Sequence, residues 1–246
     1  MSTAGTASSA ATQPVRSIAL SLTEDYCPSW GAWEGVRELV QNFHDGCLDS
    51  GASLVWHCSG DGTLFRAVAG GRSVGMITYD ADAQRLMLTN RNVALERRFL
   101  LLGSSRKADS SLAIGQFGEG MKVGTLALLR EGRRVSMRTR DEHWQWTRKL
   151  DEAFGVRCLT VDIFPRASQV FIEEDASLPE GEEEEEGEVE EEEDTTIVIE
   201  PISSGEWRQF RERFLFLCPP SDSFACTELG ELPLDPKIDT TCLDLA

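Results

Sequence analysis

The chain has 246 residues, 41% of them hydrophobic, which is enough to bury a sizeable core in one domain, while two full domains would be crowded. Its formal charge of −18 is concentrated: residues 173–194 hold 15 of the 42 Asp and Glu and no Lys or Arg, leaving a body of 27 acidic against 24 basic residues, net −3. No apolar run reaches the roughly 20 residues of a membrane-spanning helix, and the seven cysteines form no CxxC pair, which predicts reduced thiols in an intracellular protein, cytoplasmic or nuclear.

Residues 1–14 are rich in Ser, Thr and Ala and read as a disordered lead-in. VRSIALSL (15–22) alternates as a first strand, and 23–28 turn the chain, with Ser29, or Cys27 with Pro28, as the expected helix entry. Residues 33–48, WEGVRELVQNFHDGCL, then read as an amphipathic helix. Glu38, Asn42 and Asp45 fall four and three apart, so all three project from one face beside the apolar stripe of Val36, Leu39, Val40 and Phe43. A carboxylate there has the chemistry to activate water, and an amide oxygen to hold a hard cation.

From Ser53 to Thr89 four short strands (in SLVWHCSG, TLFRAVAG, SVGMITYD and RLMLTN) are separated by Asp61-Gly62, Gly70-Gly71 and Asp80-Ala81-Asp82, the pattern of a meander. His57 lies on a strand and reads as structural; Cys47, His57 and Cys58 fit no zinc spacing. Residues 94–102 have helical composition. Residues 103–111, GSSRKADSS, are small and polar with two cations, the composition of a mobile lid, whose Ser104, Ser105 and Lys107 would suit a phosphate-rich ligand.

Ile114 to Lys122, IGQFGEGMK, places glycines at 115, 118 and 120. They leave backbone amides open to close approach by an anion, and the apolar run from Met121 reads as a helix starting at that cradle, with Lys122 beside it. Three alternating strands follow at 133–140, 143–150 and 156–164. Arginines at 130, 133, 134, 138 and 140 give the first a basic solvent face; with no aromatic platform inside the strand, this is a weak signal for nucleic acid. The glutamate tract 173–194 has no apolar surface to bury and reads as a loop or disordered insert, a candidate site for basic partners such as histones. Thr195–Glu200 is β-branched and strand-like. GEWRQFRERFLFL (205–217) sets Trp207, Phe210, Phe214 and Leu217 at helical spacing, and Pro219-Pro220 stops it. The expected organisation is a lead-in (1–14), one domain (15–217) with an acidic insert (173–194), and an irregular tail (218–246).

Two of these passages, Arg37 to Gly46 (RELVQNFHDG) and Ile114 to Gly120 (IGQFGEG), resemble the N-box and the lid-end glycine box of the GHKL ATPase superfamily, which includes gyrase B, high-molecular-weight heat-shock chaperones, MutL, MORC proteins and sensor histidine kinases. The resemblance spans roughly residues 16–217. It implies a Bergerat ATP-binding fold: an α+β, two-layer α/β sandwich with a mixed, mostly antiparallel sheet and helices on one face. It further implies ATP and Mg²⁺ as cofactors, Glu38 as general base, Asn42 as magnesium ligand, Asp45 at the purine end, and Gly115, Gln116, Phe117, Gly118, Gly120 and Lys122 around the phosphates. Thr195 matches the threonine of a late strand that supports the adenine end, with Asp194 where relatives have glycine.

One motif departs. Where relatives carry Asp-x-Gly-x-Gly, with the aspartate accepting from the adenine amine, this chain has Asn90, Asn92 and Ala94. An asparagine either presents its carbonyl oxygen to that amine or turns its NH2 toward a carbonyl. Sensor kinases lack the N-box glutamate, so the expectation is hydrolysis rather than kinase activity. The rival readings are a module that binds nucleotide without hydrolysing it, and an acidic-tract interaction scaffold. Relatives commonly dimerise on ATP; this chain's own interface and client protein do not show in its sequence.

Overall fold

A computed structural model describes residues 13–48, 53–101, 119–165 and 194–217, together with the backbone of 232–233. Ten strands form one sheet: β1 (Arg16–Thr23), β2 (Leu54–Cys58), β3 (Leu64–Ala69), β4 (Arg72–Asp80), β5 (Arg85–Asn90), β6 (Arg134–Thr139), β7 (Glu142–Asp151), β8 (Val156–Pro165), β9 (Thr195–Glu200) and β10 (Leu232–Pro233). Among the described residues there are three α-helices, α1 (Ala32–Leu48), α2 (Gly120–Arg130) and α3 (Ser204–Arg211). The spatial order is β1-β8-β7-β6-β9-β5-β4-β3-β2-β10.

Every described pairing is antiparallel, which corrects the expectation of a mixed sheet. The physical reason is short connection. β2 to β5 form the expected meander, and β6 to β8 form a second one, so hairpins join successive strands where a parallel pair would need a long crossover. Gly70-Gly71 is a two-residue link between paired Ala69 and Arg72, and both glycines have positive φ (56° and 79°), the geometry that matches strand twist. β9, late in the chain, enters between β5 and β6 and joins the two meanders.

Alternation decides the faces. Phe65, Ala67, Ile77, Tyr79, Leu86, Leu88, Val135, Met137, Trp144, Val161, Ile163, Ile197 and Ile199 are buried, while Arg66, Met76, Met87, Thr89, Ser136 and Val198 between them are partly or fully exposed. α1 packs against β4 and β5, α2 against β6 and β7, and α1 also contacts α2 and α3. The stripe read from sequence on α1 is the buried one: Val36, Leu39, Val40 and Phe43 are at most 1% exposed. Each such side chain contributes about 1.5–3 kcal/mol of apolar burial. Helix against helix is close at Gly35, where an added Cβ would stand 2.5 Å from Leu128 Cγ and 2.8 Å from the Gly124 carbonyl.

Three boundaries differ from the sequence reading. α1 begins after Gly31, whose N–H donates to Glu34 (2.9 Å), half of a capping box that Ser29 does not supply. Residues 94–101, the described part of the 94–102 segment, give only a 3-10 turn, Arg97–Leu100, because Leu101 is extended and Leu100 alone buries. α3 ends at Arg211 and the chain continues through i to i−3 turns at Arg213, Phe214 and Leu217, which still deliver Phe214 and Leu217 to the core. The start of α3 carries a complete capping box between Ser203 and Glu206.

Candidate functional site

α1 carries the candidate base along the surface that meets α2. Glu38 accepts from its neighbour Arg37 at Oε1 (Nη2 2.8 Å, Nε 3.3 Å). Its other oxygen lies against the first residue of α2: a Cβ on Gly120 would stand 2.1 Å from Oε2. Only a glycine leaves room for the carboxylate there. Gly124, one turn on, faces the Glu38 Cβ in the same way at 2.9 Å. Two passages far apart in the sequence therefore meet at Glu38.

Asn42 donates from Nδ2 to the Glu38 carbonyl (2.6 Å), a bond that uses an amide hydrogen and not its amide oxygen. Asp45 is 1% exposed, deeper than its neighbours. At the far end of α1, Gly46 abuts the Asn90 side chain, whose Nδ2 would stand 2.8 Å from an added Cβ. Asn90 donates from that nitrogen to the Phe43 carbonyl (2.8 Å) and to Cys47 Sγ (3.4 Å). Both options for Asn90 were open from the sequence; here the NH2 is taken up by α1 and the carbonyl oxygen is the free acceptor. Burial pushes the Cys47 thiol up to about 12, against the opposing pull of the Asn90 amide, so it is an inert packing group.

Thr195 pairs directly with Asn90 across β9 and β5, and with Thr139 across β9 and β6. Its hydroxyl bonds the Val93 carbonyl (2.5 Å) and the Thr139 hydroxyl (2.9 Å), and Thr139 in turn accepts from Leu95 N (2.8 Å). Asp194 accepts from Asn92 N (3.0 Å) and Arg91 (2.7 Å). The loop after β5 is thus tied down at 91, 92, 93 and 95. Asn92 has φ +54°, a left-handed conformation that asparagine tolerates better than most residues. Asp80 accepts from the N–H groups of Asp82 and Ala83 (both 2.9 Å) and serves the hairpin turn.

Lys122 is fully buried on α2. Its Nζ donates to the Leu101 carbonyl (2.6 Å) and lies 5.2 Å from the centre of the Phe99 ring. Burial pulls its pKa down, and Glu119 works in the opposite direction. In this arrangement the ammonium joins the 3-10 turn to α2, a contact different from the phosphate contact the resemblance implies. Ser104, Ser105, Lys107, Gly115, Gln116, Phe117 and Gly118 lie outside the described residues. Among the described residues, no group of three or more His, Cys, Asp or Glu is arranged to hold a metal, and no helix is long and apolar enough to cross a membrane.

Sequence reasoning did not single out Arg37, Thr139 or Asp194 as partners of the site. Arg37 lay inside the quoted string, but residues one apart on a helix do not ordinarily face each other. Thr139 carries no sequence signal beyond its place at the end of an alternating strand. The sequence matches no protein-family model and no curated protein.

Proposed function

We propose that the chain is an ATP-binding domain of GHKL type, a two-layer sandwich with the three helices on one face of the sheet, which hydrolyses ATP with Mg²⁺. The observation that carries this reading is the convergence of Glu38 on Gly120, with Asn90 and Thr195 paired at the other end of α1. From Glu38 to Gly46 the helix rises about 12 Å. One ligand would span from the start of α2 to the end of β5.

The residues fit the two absent groups. A helix start favours an anion, and at the start of α2 the place a Cβ on Gly120 would take is held by the Glu38 carboxylate, which sets the candidate base beside that position. Asn42 has an amide hydrogen engaged, and its amide oxygen would suit a hard cation such as Mg²⁺, which when bound neutralises charge on the phosphates. Glu38, engaged at Oε1 by Arg37, would orient and deprotonate water. The Asn90 oxygen would accept from the 6-amino group of adenine, where guanine carries a carbonyl oxygen that cannot donate.

The test is a thermal-shift titration with Mg²⁺ and ATP, ADP or GTP, followed by single-turnover phosphate release. The expected result is a larger shift with ATP than GTP, and release that Glu38→Ala abolishes while the shift persists. Equal shifts with ATP and GTP, or release unchanged in the variant, would refute the assignment. Shift without release would favour a binding module.

A further inference from the structure

Glu38 owes its orientation to a contact that helix geometry does not itself provide. Side chains one position apart point in different directions around α1, yet both Nε and Nη2 of Arg37 close on Glu38 Oε1, with side chains 28% and 16% exposed. Something outside the helix must hold the guanidinium back over its neighbour. That support is Trp30: the Arg37 guanidinium carbon lies 5.5 Å from the centre of the indole, within cation–π range.

Trp30 is itself held from across the molecule. It sits in the link between β1 and α1 and packs on the core at its inner side. The Arg130 guanidinium, at the end of α2, donates to four carbonyls of that link: Glu24 (2.9 Å) and Tyr26 (2.7 Å) from Nη1, and Cys27 (2.8 Å) and Trp30 (3.0 Å) from Nη2. A planar fork saturated by four main-chain acceptors leaves the link little freedom. The other end of the same helix, α2, presents Gly120 to Glu38 Oε2. α2 therefore grips both ends of the arrangement, one directly and one through Arg130, Trp30 and Arg37.

We propose that Trp30 is a positioning residue for Glu38, acting through Arg37, with Arg130 fixing the indole in place. The inference rests on the reading of Glu38 as the group that activates water. Trp30 does not reach the ligand; it keeps the guanidinium over the carboxylate, so that Oε1 stays engaged and Oε2 faces the start of α2.

The test uses the full chain and compares Trp30→Leu, Trp30→Phe and Arg37→Gln with the unaltered protein. Phosphate release across a range of ATP concentrations and the thermal shift induced by ATP with Mg²⁺ are read together. Trp30→Leu and Arg37→Gln lower kcat by about two- to fivefold with KM and the thermal shift unchanged, and Trp30→Phe, which keeps an aromatic face, stays near the unaltered rate. Arg37 is partly exposed, so its variant reports even if Trp30→Leu does not fold. The proposal is overturned if kcat is unchanged in Trp30→Leu and Arg37→Gln, if KM and the thermal shift move in step with kcat, or if Trp30→Phe is as slow as Trp30→Leu. Absence of phosphate release from the unaltered chain, or release indifferent to Glu38→Ala, instead removes the underlying hydrolase reading and this inference with it.

Discussion

Gly120→Ala separates chemistry from stability at the point where α1 and α2 meet. The added Cβ would lie 2.1 Å from Glu38 Oε2 and 3.2 Å from its Cδ, closer than such atoms approach, so the carboxylate has to retreat by about 1 Å. Because the obstructed atom is the far end of a flexible side chain, the fold accommodates the change. Alanine also favours the helix by up to about 1 kcal/mol over glycine. Folding stability is expected within about 1 kcal/mol of the unaltered protein. Turnover is another matter, since a misplacement of about 1 Å in a reacting group costs on the order of a hundredfold, or roughly 2.7 kcal/mol of barrier. Urea unfolding gives the first number and single-turnover phosphate release with saturating ATP and Mg²⁺ the second. Full activity in Gly120→Ala would refute the argument that Glu38 works from its place against α2. A large loss of stability would show that the contact is structural instead.

Gly35→Ala is expected to do the reverse: its Cβ meets the Gly124 carbonyl at 2.8 Å and Leu128 Cγ at 2.5 Å, so the helices must separate, and denaturant unfolding should show a loss of about 1–3 kcal/mol. Asn90→Asp removes the donor to Phe43 O and sets a carboxylate against that carbonyl. About 1–3 kcal/mol of stability is lost at neutral pH and part of it returns on acidification, as a protonated acid donates again; a pH-independent loss would contradict this. His143 is buried on β7, and burial, with Arg138 adding to it, pushes its pKa down from 6.5 to about 4. The unfolded chain then binds the proton first. Its stabilising contribution is complete above pH 6.5 and is lost as pH falls toward 4, by about 3 kcal/mol. His143→Gln should flatten stability against pH in that window, and an unchanged slope would contradict the assignment.

Most of the strand pattern was legible because alternation and turn residues agree. The runs at 64–69, 72–80 and 85–90 sit between glycine and aspartate turns, and each buries the residues its alternation marks. The Glu38, Asn42 and Asp45 spacing placed all three on one helix, but local spacing carries no record of which neighbour each group meets. Asn90 could have faced either way until the Phe43 carbonyl was there to receive its NH2. Lys122 reads as a phosphate contact beside a glycine cradle, yet Leu101 and Phe99, brought near only by the fold, take it inside. Helical composition over 94–102 gave way to a 3-10 turn because one buried residue, Leu100, is too little apolar surface to hold a longer helix.

The lateness of β9 has a consequence for synthesis. A ribosome makes both meanders before it reaches residue 195, and until then β5 and β6 each present a bare hydrogen-bonding edge with no partner strand. Residues 195–200 act as a keystone, and the pairing of Asn90 with Thr195 forms in the same closing step. A nascent chain halted before that point would hold two half-sheets with sticky borders, a natural client for a holdase chaperone and a poor fragment to express.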